Sequence, residues 1–179
     1  MHFGEYSIRA SIKTDASEIL SLYKKVAQLT PGGLVRTPEE ITQDYVNTFL
    51  SKTLDHGLGF VVTNTEHKII AEIHTYSLGI KAFNHVWGDL TICVDPDYQN
   101  KKIGSTLFGY LLDQITQKYT HILKVCIVVR STNQRARHVY EKLGFIQEGL
   151  FARQIRDQQT GQFIDDIPFA WFNPGYQKD

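Results

Sequence analysis

Two adjacent ammonium groups, Lys101 and Lys102, stand in "VDPDYQNKKIGSTLF" (residues 94–108), where a strand-like run gives way to an amphipathic helix. Cations at a helix N-terminus face the positive end of the backbone dipole, which costs about 0.3–1 kcal/mol. An anionic ligand at the same place reverses that sign. The unpaired N–H groups of a turn and of a first helical turn can surround phosphate oxygens, and Gly104 lets the backbone come close to them. These residue types in this order are compatible with a phosphate site, though the lysine pair alone does not establish one. The plainer alternative is a solvated lysine pair on a surface turn.

Other chemistries that sequence patterns announce are missing. There is no G-x-x-x-x-G-K-[ST] loop and no G-x-G-x-x-G after a strand, which disfavours triphosphate and dinucleotide ligands. None of the seven histidines belongs to an H-E-x-x-H helix and neither cysteine has a C-x-x-C neighbour, so no metal is expected. His74 and His85 could meet across neighbouring strands and relay a proton, but the expected role of a lone strand histidine is structural. No serine stands in a nucleophile elbow, and Cys126 inside an apolar strand is a poor acyl carrier.

The 179 residues, 42% of them hydrophobic, suffice for one filled core, so residues 1–179 are read as a single domain. Lys plus Arg balances Asp plus Glu at 19 each, so no global field recruits nucleic acid or an anionic membrane. Any anion site must be local. The N-terminus lacks a basic segment leading into an apolar one, and no apolar run approaches the ~20 residues of a membrane span. A cytoplasmic chain without membrane partner is expected, with Cys93 and Cys126 reduced and buried as small hydrophobes.

The elements that must position these residues follow from periodicity. "YSIRA" alternates as a strand, and "TDASEILSLYKKVAQL" carries Ile19, Leu22, Tyr23 and Val26 at helical spacing. After the breaker "TPGGL", a second helix is expected with Thr37 as N-cap, Pro38 at its first position and Glu40 completing a capping box. "GFVVTNTEHKIIAEIHTYSL" and "HVWGDLTICV" read as a three-stranded meander with a tip at residues 64–67. Ile103, Leu107, Leu111 and Ile115 mark one face of the next helix, and "ILKVCIVV" reads as a buried central strand. A last helix over residues 133–143 stops at Gly144, a left-handed cap. "FIQEGL" and "FIDDIPFAWF" supply two final strands around the turn "DQQTGQ". The fold class is α/β: a mixed sheet with parallel central strands, flanked by helices.

"VDPDYQNKKIGSTL" followed by "RSTNQRARHVYEKLGF" resembles the two central motifs of the GNAT superfamily of acetyl-CoA-dependent N-acetyltransferases: the pyrophosphate loop [QR]-x-x-G-x-[GA] and N-x-x-A-x-x-x-Y-x-x-x-G-F. The resemblance covers residues 90–145. It implies that Gln99, Asn100, Lys101, Lys102, Ile103, Gly104 and Ser105 contact the pyrophosphate of acetyl-CoA, with Lys102 at a position that is usually glycine. It implies that the main chain of Ile92, Cys93 and Val94 pairs with pantetheine like an added strand, one amide polarising the thioester carbonyl. Asn133 resembles the residue that bonds the cofactor arm, or else a plain helix N-terminal polar residue. Tyr140 resembles the residue beside the sulfur, or else a core aromatic.

The implied reaction is direct attack of a neutral primary amine through a tetrahedral intermediate, with Tyr140, of ordinary pKa about 10, as general acid. Asp89 and Glu72 are the candidate bases, each equally readable as a strand-surface carboxylate. In the family's ribosomal-protein N-terminal acetyltransferases a glutamate lies five residues before the asparagine; here that position is Val128. The segments bordering the amine site would offer Tyr23, Arg36, Tyr45, Arg153 and Asp157. A small-molecule amine is the favoured acceptor. A protein N-terminal or lysine acetyltransferase, and an acyl-CoA sensor or interaction module without turnover, stay open. A homodimer pairing through an edge at "FAWF" is compatible with this reading.

Overall fold

The alternating apolar residues of the sequence assemble one nine-stranded sheet, described in a computed structural model for residues 1–30, 32–157 and 160–178. The strands are β1 (His2–Phe3), β2 (Tyr6–Ala10), β3 (Gly57–Thr63), β4 (Ile69–Ser77), β5 (Val86–Val94), β6 (Lys124–Arg130), β7 (Ile146–Gln147), β8 (Phe151–Arg156) and β9 (Phe163–Phe172). The helices are α1 (Ala16–Leu29), α2 (Gln43–His56), α3 (Ile103–Lys118) and α4 (Gln134–Lys142). The order across the sheet is β1-β2-β3-β4-β5-β6-β9-β7, with β8 also pairing β9. Only β5 and β6 run parallel; the other pairs are antiparallel.

Helices cover both faces because the strands bury side chains on both. Ile103, Leu107, Phe108, Leu111 and Ile115 of α3 and Tyr140 of α4 join Val125, Ile127, Val129, Ile167 and Phe169 in one core. Ile19, Leu22, Tyr23 and Val26 of α1 and Val46, Phe49 and Leu50 of α2 form a second with Val61, Ile69, Tyr76 and Cys93. Both expected apolar stripes are therefore buried. Cys93 and Cys126 are free, the first buried and the second half-buried. Gly144 ends α4 with φ 86°, the left-handed region that favours glycine.

The start signals at residues 37–40 make a turn, not a helix. Glu40 does reach back to the Thr37 amide (2.9 Å), but the helix begins later, where Thr42 Oγ1 accepts from Tyr45 N at 3.1 Å. Competition between two caps five residues apart was won by the one whose helix buries Val46, Phe49 and Leu50. Residues Phe151–Arg156, between the expected strand "FIQEGL" and the turn "DQQTGQ", form β8, a strand missed because its residues are mostly exposed and irregular: the register slips between Phe151 and Ile155, and Arg153 has φ 54°. Parts of the turns "TPGGL" and "DQQTGQ", at Pro31 and at Gln158 and Gln159, lie outside the described residues. Within "FAWF", Phe169 and Ala170 pair with β6 on one side and β7 on the other, so that half is no edge, while Trp171 and Phe172 pair with β6.

Candidate active site

β5 and β6 are in register only at Val86↔Lys124 and Trp87↔Val125. Just beyond, the β4–β5 register shifts from His74↔Thr91 to Tyr76↔Gly88, so Asp89 and Leu90 together oppose Thr75. An extra residue in one strand bends it and increases its twist. Asp89 takes the left-handed conformation this requires, φ 48°, which aspartate tolerates better than most side chains. Thr75 Oγ1 donates to Gly88 O at 2.8 Å and anchors the bend. Beyond it, β5 stays paired with β4 as far as Ala71↔Val94, while its other edge leaves β6 and opens a cleft.

Two cavities occupy that cleft. The smaller, about 440 Å³, is lined by Gln99, Asn100 and Lys102, by the first turn of α3 (Ile103, Gly104, Ser105), by Ile92, Cys93 and Val94, and by Asn133. The larger, about 820 Å³, is lined by Leu90, Thr91, Ile127 and Val128 of the two strands, Tyr23 and Tyr45 of the N-terminal helices, and the segment from Gly32 to Ile41. Gly33, Ile92 and Tyr140 line both. Two ligands laid end to end would therefore meet beside Tyr140.

The loop before α3 is sharply turned. Asn100 and Lys102 both have positive φ, 63° and 62°, a turn geometry that directs successive amides to one side. Lys102 stands as the N-cap of α3, which explains why glycine is the usual occupant: an L side chain in this region costs roughly 1–2 kcal/mol. Lys102 O accepts from Thr106 N (3.0 Å) and Ser105 Oγ (2.9 Å), whereas the amides of the first helical turn have no carbonyl partner within the helix. The Lys101 ammonium lies 4.9 Å from the Tyr98 ring centroid, and among the described residues neither lysine forms an ion pair. The nearby acids are committed elsewhere: Lys25 Nζ holds Asp95 (2.7 and 2.9 Å) and Asp97 (2.7 Å).

Tyr140 packs its ring against Phe108, Phe145 and Phe169, at centroid distances of 5.6, 6.0 and 6.1 Å. Burial pushes its hydroxyl up to about 12, so it carries its proton throughout the neutral range. Asn133 is the helix N-terminal polar residue that the sequence allowed, and it also lies on the wall of the smaller cavity. Its Oδ1 caps α4, accepting from Ala136 N at 3.1 Å, and its amide nitrogen remains as a donor.

The two candidate bases lie apart. Asp89 is exposed on the β5 bend, lines neither cavity, and raises the Tyr76 hydroxyl together with that residue's burial, which is the larger cause. Glu72 is fully buried and accepts from the Tyr23 hydroxyl at 2.6 Å; His74 Nδ1 lies 3.0 and 3.1 Å from its two oxygens. Burial first, and the Glu72 charge second, raise Tyr23 well above the ordinary tyrosine range. Tyr23 stands between Glu72 and the larger cavity, which it lines. His74 and His85 do not meet: His74 pairs with Thr91 and is sandwiched near Phe49 (4.2 Å) and Tyr76 (5.9 Å), while exposed His85 precedes β5 and gives its carbonyl to Leu123 and Lys124. Arg36 lies over the Tyr45 ring, 4.3 Å from its centroid, and Asp157 also lines the larger cavity, whereas Arg153 lines neither.

Sequence reading missed Arg130, Lys25 and Asp95. Arg130 ends β6 at the cleft, with Nη2 donating to Leu34 O at 3.3 Å. Asp95 before Pro96 was the available signal for the loop anchor, since it caps the short turn that follows, accepting from Asp97 N at 3.0 Å. Among the described residues no group of three His, Cys, Asp or Glu is placed to hold a metal, and no helix is long and apolar enough to cross a membrane.

A splayed parallel pair, a sharply turned loop ahead of a helix and a tyrosine common to two cavities define the cleft of this sheet. The family model of the acetyltransferase (GNAT) family matches residues 21–145, and the chain belongs to that family of acyltransferases, whose acyl donor is acetyl-CoA. It is similar to [Ribosomal protein bS18]-alanine N-acetyltransferase of Escherichia coli K12, 37% identical over 54 residues, a match spanning 30% of this chain and 35% of that protein. Among solved structures it resembles a GNAT acetyltransferase from Streptococcus pneumoniae (24% identity, TM-score 0.83, covering 94% of this chain and 99% of that one). The ribosomal-protein-S5-alanine acetyltransferase of Vibrio fischeri matches with TM-score 0.80 at 20% identity, covering 99% and 98%. The phosphinothricin acetyltransferase of Sinorhizobium meliloti, solved with AcCoA, matches with TM-score 0.81 at 16% identity, covering 97% and 91%. At these identities the structural likeness is one of fold.

Proposed function

We propose that this protein acetylates the primary amine of a small molecule, using acetyl-CoA. The observation that carries the reading is Tyr140, a protonated, buried phenol at the junction of a loop-lined anion cavity and a second, larger cavity. The smaller cavity suits the donor. Gly104 opens the first helical turn, the amides of residues 103–105 and Lys102 face a pyrophosphate, with Lys101, over the Tyr98 ring, as a neighbouring charge outside the cavity wall, and the free edge of β5 at Ile92 and Val94 can pair with an amide-bearing arm. Asn133 Nδ2 adds a donor to that arm. Acetyl-CoA supplies an activated acyl group bound to a thiolate leaving group.

Tyr140 Oη gives its proton to the departing sulfur. The proton of the incoming amine leaves through the hydroxyl of Tyr23, which takes it as its own passes to Glu72 across the 2.6 Å bond. Of the two candidate carboxylates Glu72 is favoured because this hydroxyl links it to the acceptor cavity; Asp89 has no such link. The test is thiol release from acetyl-CoA with a panel of amines. Tyr140→Phe should lower kcat about 10²-fold while leaving calorimetric acetyl-CoA affinity within roughly threefold, and by the same factor from about pH 6 to 10. Tyr23→Phe should lower kcat about tenfold or more in the same assay. Full turnover by either variant would remove that residue's role.

A second reading, acetylation of a protein N-terminus, is favoured by the likeness to the alanine N-acetyltransferase of the bS18 ribosomal protein. Against it, Val128 stands on the acceptor cavity wall where the family's ribosomal enzymes carry a glutamate. Alanine-ending peptides in the same panel separate the two readings.

A further inference from the structure

The wall of the larger cavity carries three guanidinium groups, from Arg36, Arg130 and Arg156, that sequence motifs did not single out together. Among the described residues none of them forms an ion pair. Two of the acids on the same wall are engaged locally: Glu40 accepts from the Thr37 amide at 2.9 Å, and Glu39 bonds its own main chain and Thr37.

Arg130 is the most constrained of the three. Nη2 is pinned to Leu34 O, Nε is covered and has no hydrogen-bond partner, and Nη1 faces Gly32, where an added Cβ would lie 3.4 Å away. Its cross-strand neighbour Asp166 feels the Arg130 charge, which lowers that carboxyl against the larger, raising effect of burial, but among the described residues the two make no direct ion pair. A guanidinium held in one pose, partly stripped of water and without a directly bonded carboxylate, has donors that an anionic ligand can occupy. Arg36 adds a second cation, held over Tyr45 on the same wall.

We infer that the acceptor is an amine that also carries a carboxylate, held by Arg130 with help from Arg36 while its amino group points to Tyr140. This rests on the acetyltransferase reading and names its substrate class. A planar guanidinium suits a carboxylate, and the same cations disfavour polyamines in the cavity.

The experiment compares matched pairs differing only in the acid: alanine with ethylamine, 4-aminobutyrate with propylamine. Acetyl-CoA and thiol detection give kcat/KM, and calorimetry of the acids gives binding in the presence of CoA. The expected result is a preference for the acid of at least about tenfold in each active pair. Arg130→Gln should cut that ratio at least about tenfold, chiefly through KM, and Arg130→Lys should restore part of it. Acetyl-CoA titration shows that each variant is folded. A preference for the neutral amine, or an Arg130→Gln loss equal for both members of a pair, overturns the inference. If acetyl-CoA binds yet no amine releases thiol, the transferase reading fails on its own. The carboxylate site then stands on Arg130-dependent binding of the acids and falls if there is none.

Discussion

Lys102 shows how one side chain can be wrong for its backbone and right for a ligand. Its φ of 62° belongs to the region glycine enters freely, and its charge stands at the positive end of α3. Both costs fall on the unliganded protein, and only the second is returned when an anion binds. Lys102→Gly should therefore raise stability by about 0.5–1 kcal/mol, because relief of the strained φ outweighs the extra freedom glycine gains on unfolding. It should also weaken acetyl-CoA binding several-fold, with a shallower salt dependence. Lys102→Ala keeps the strain and loses the charge, so it should weaken binding without the gain in stability. Thermal melts, with calorimetry at two salt concentrations, separate the effects. Equal stability of the glycine and alanine variants would show that the φ strain is not what it is taken to be.

At the scale of elements, local chemistry was readable and pairing geometry was not. α1, α3 and α4 were legible because their apolar residues recur at one period and end at recognisable signals, Gly144 the clearest. The motifs located the loop, Asn133 and Tyr140 on the cavity walls because their places follow from neighbouring elements of the chain itself. The start of α2 was misread because Thr37 and Thr42 carry equivalent capping chemistry, and only burial of Val46 and Leu50 chooses between them. Arg130 was invisible because its surroundings come from residues almost a hundred positions away in the chain, the carbonyl of Leu34 among them. Asp89 was read as a candidate base or a strand-surface carboxylate; it lies exposed on β5, and the register adds what spacing does not show, that it sits in the bend of that strand. If bending is its role, Asp89→Gly should keep kcat within about threefold, whereas a catalytic base removed should cost about 10²-fold or more. Asp89→Val, with a β-branched side chain at φ 48°, should lose about 1–3 kcal/mol in denaturant unfolding. A large loss of kcat in a stable glycine variant would return Asp89 to the chemistry.

Across the whole molecule, α1 is the element that joins the two cavities. Tyr23 and Ala27 line the larger, Val26 and Thr30 the smaller, and Lys25 on the same helix clasps Asp95 and Asp97 in the loop that leads to the anion site. Asp95 is buried, its side chain 4% exposed against 32% for the lysine, so removing the cation leaves a carboxylate desolvated without its partner. Lys25→Met should cost about 1–3 kcal/mol, less than a fully buried pair because the lysine is partly hydrated, and should weaken acetyl-CoA binding through a loosened loop. The clasp also has a pH signature. Lys25 is raised by its two partners, so its share of stability is present below the ordinary lysine value of 10.5 and is lost as pH rises through the higher folded value. Asp97 is lowered by Lys25, so its share is present above the ordinary 3.8 and is lost as pH falls through the lower folded value. The stability gap between wild type and Lys25→Met should be widest between these limits and narrow beyond them. A gap that ignores pH would mean that the lysine acts through its aliphatic stem. A wide gap with unchanged acetyl-CoA affinity would show that the helix beside the amine cavity does not set the loop that grips the donor.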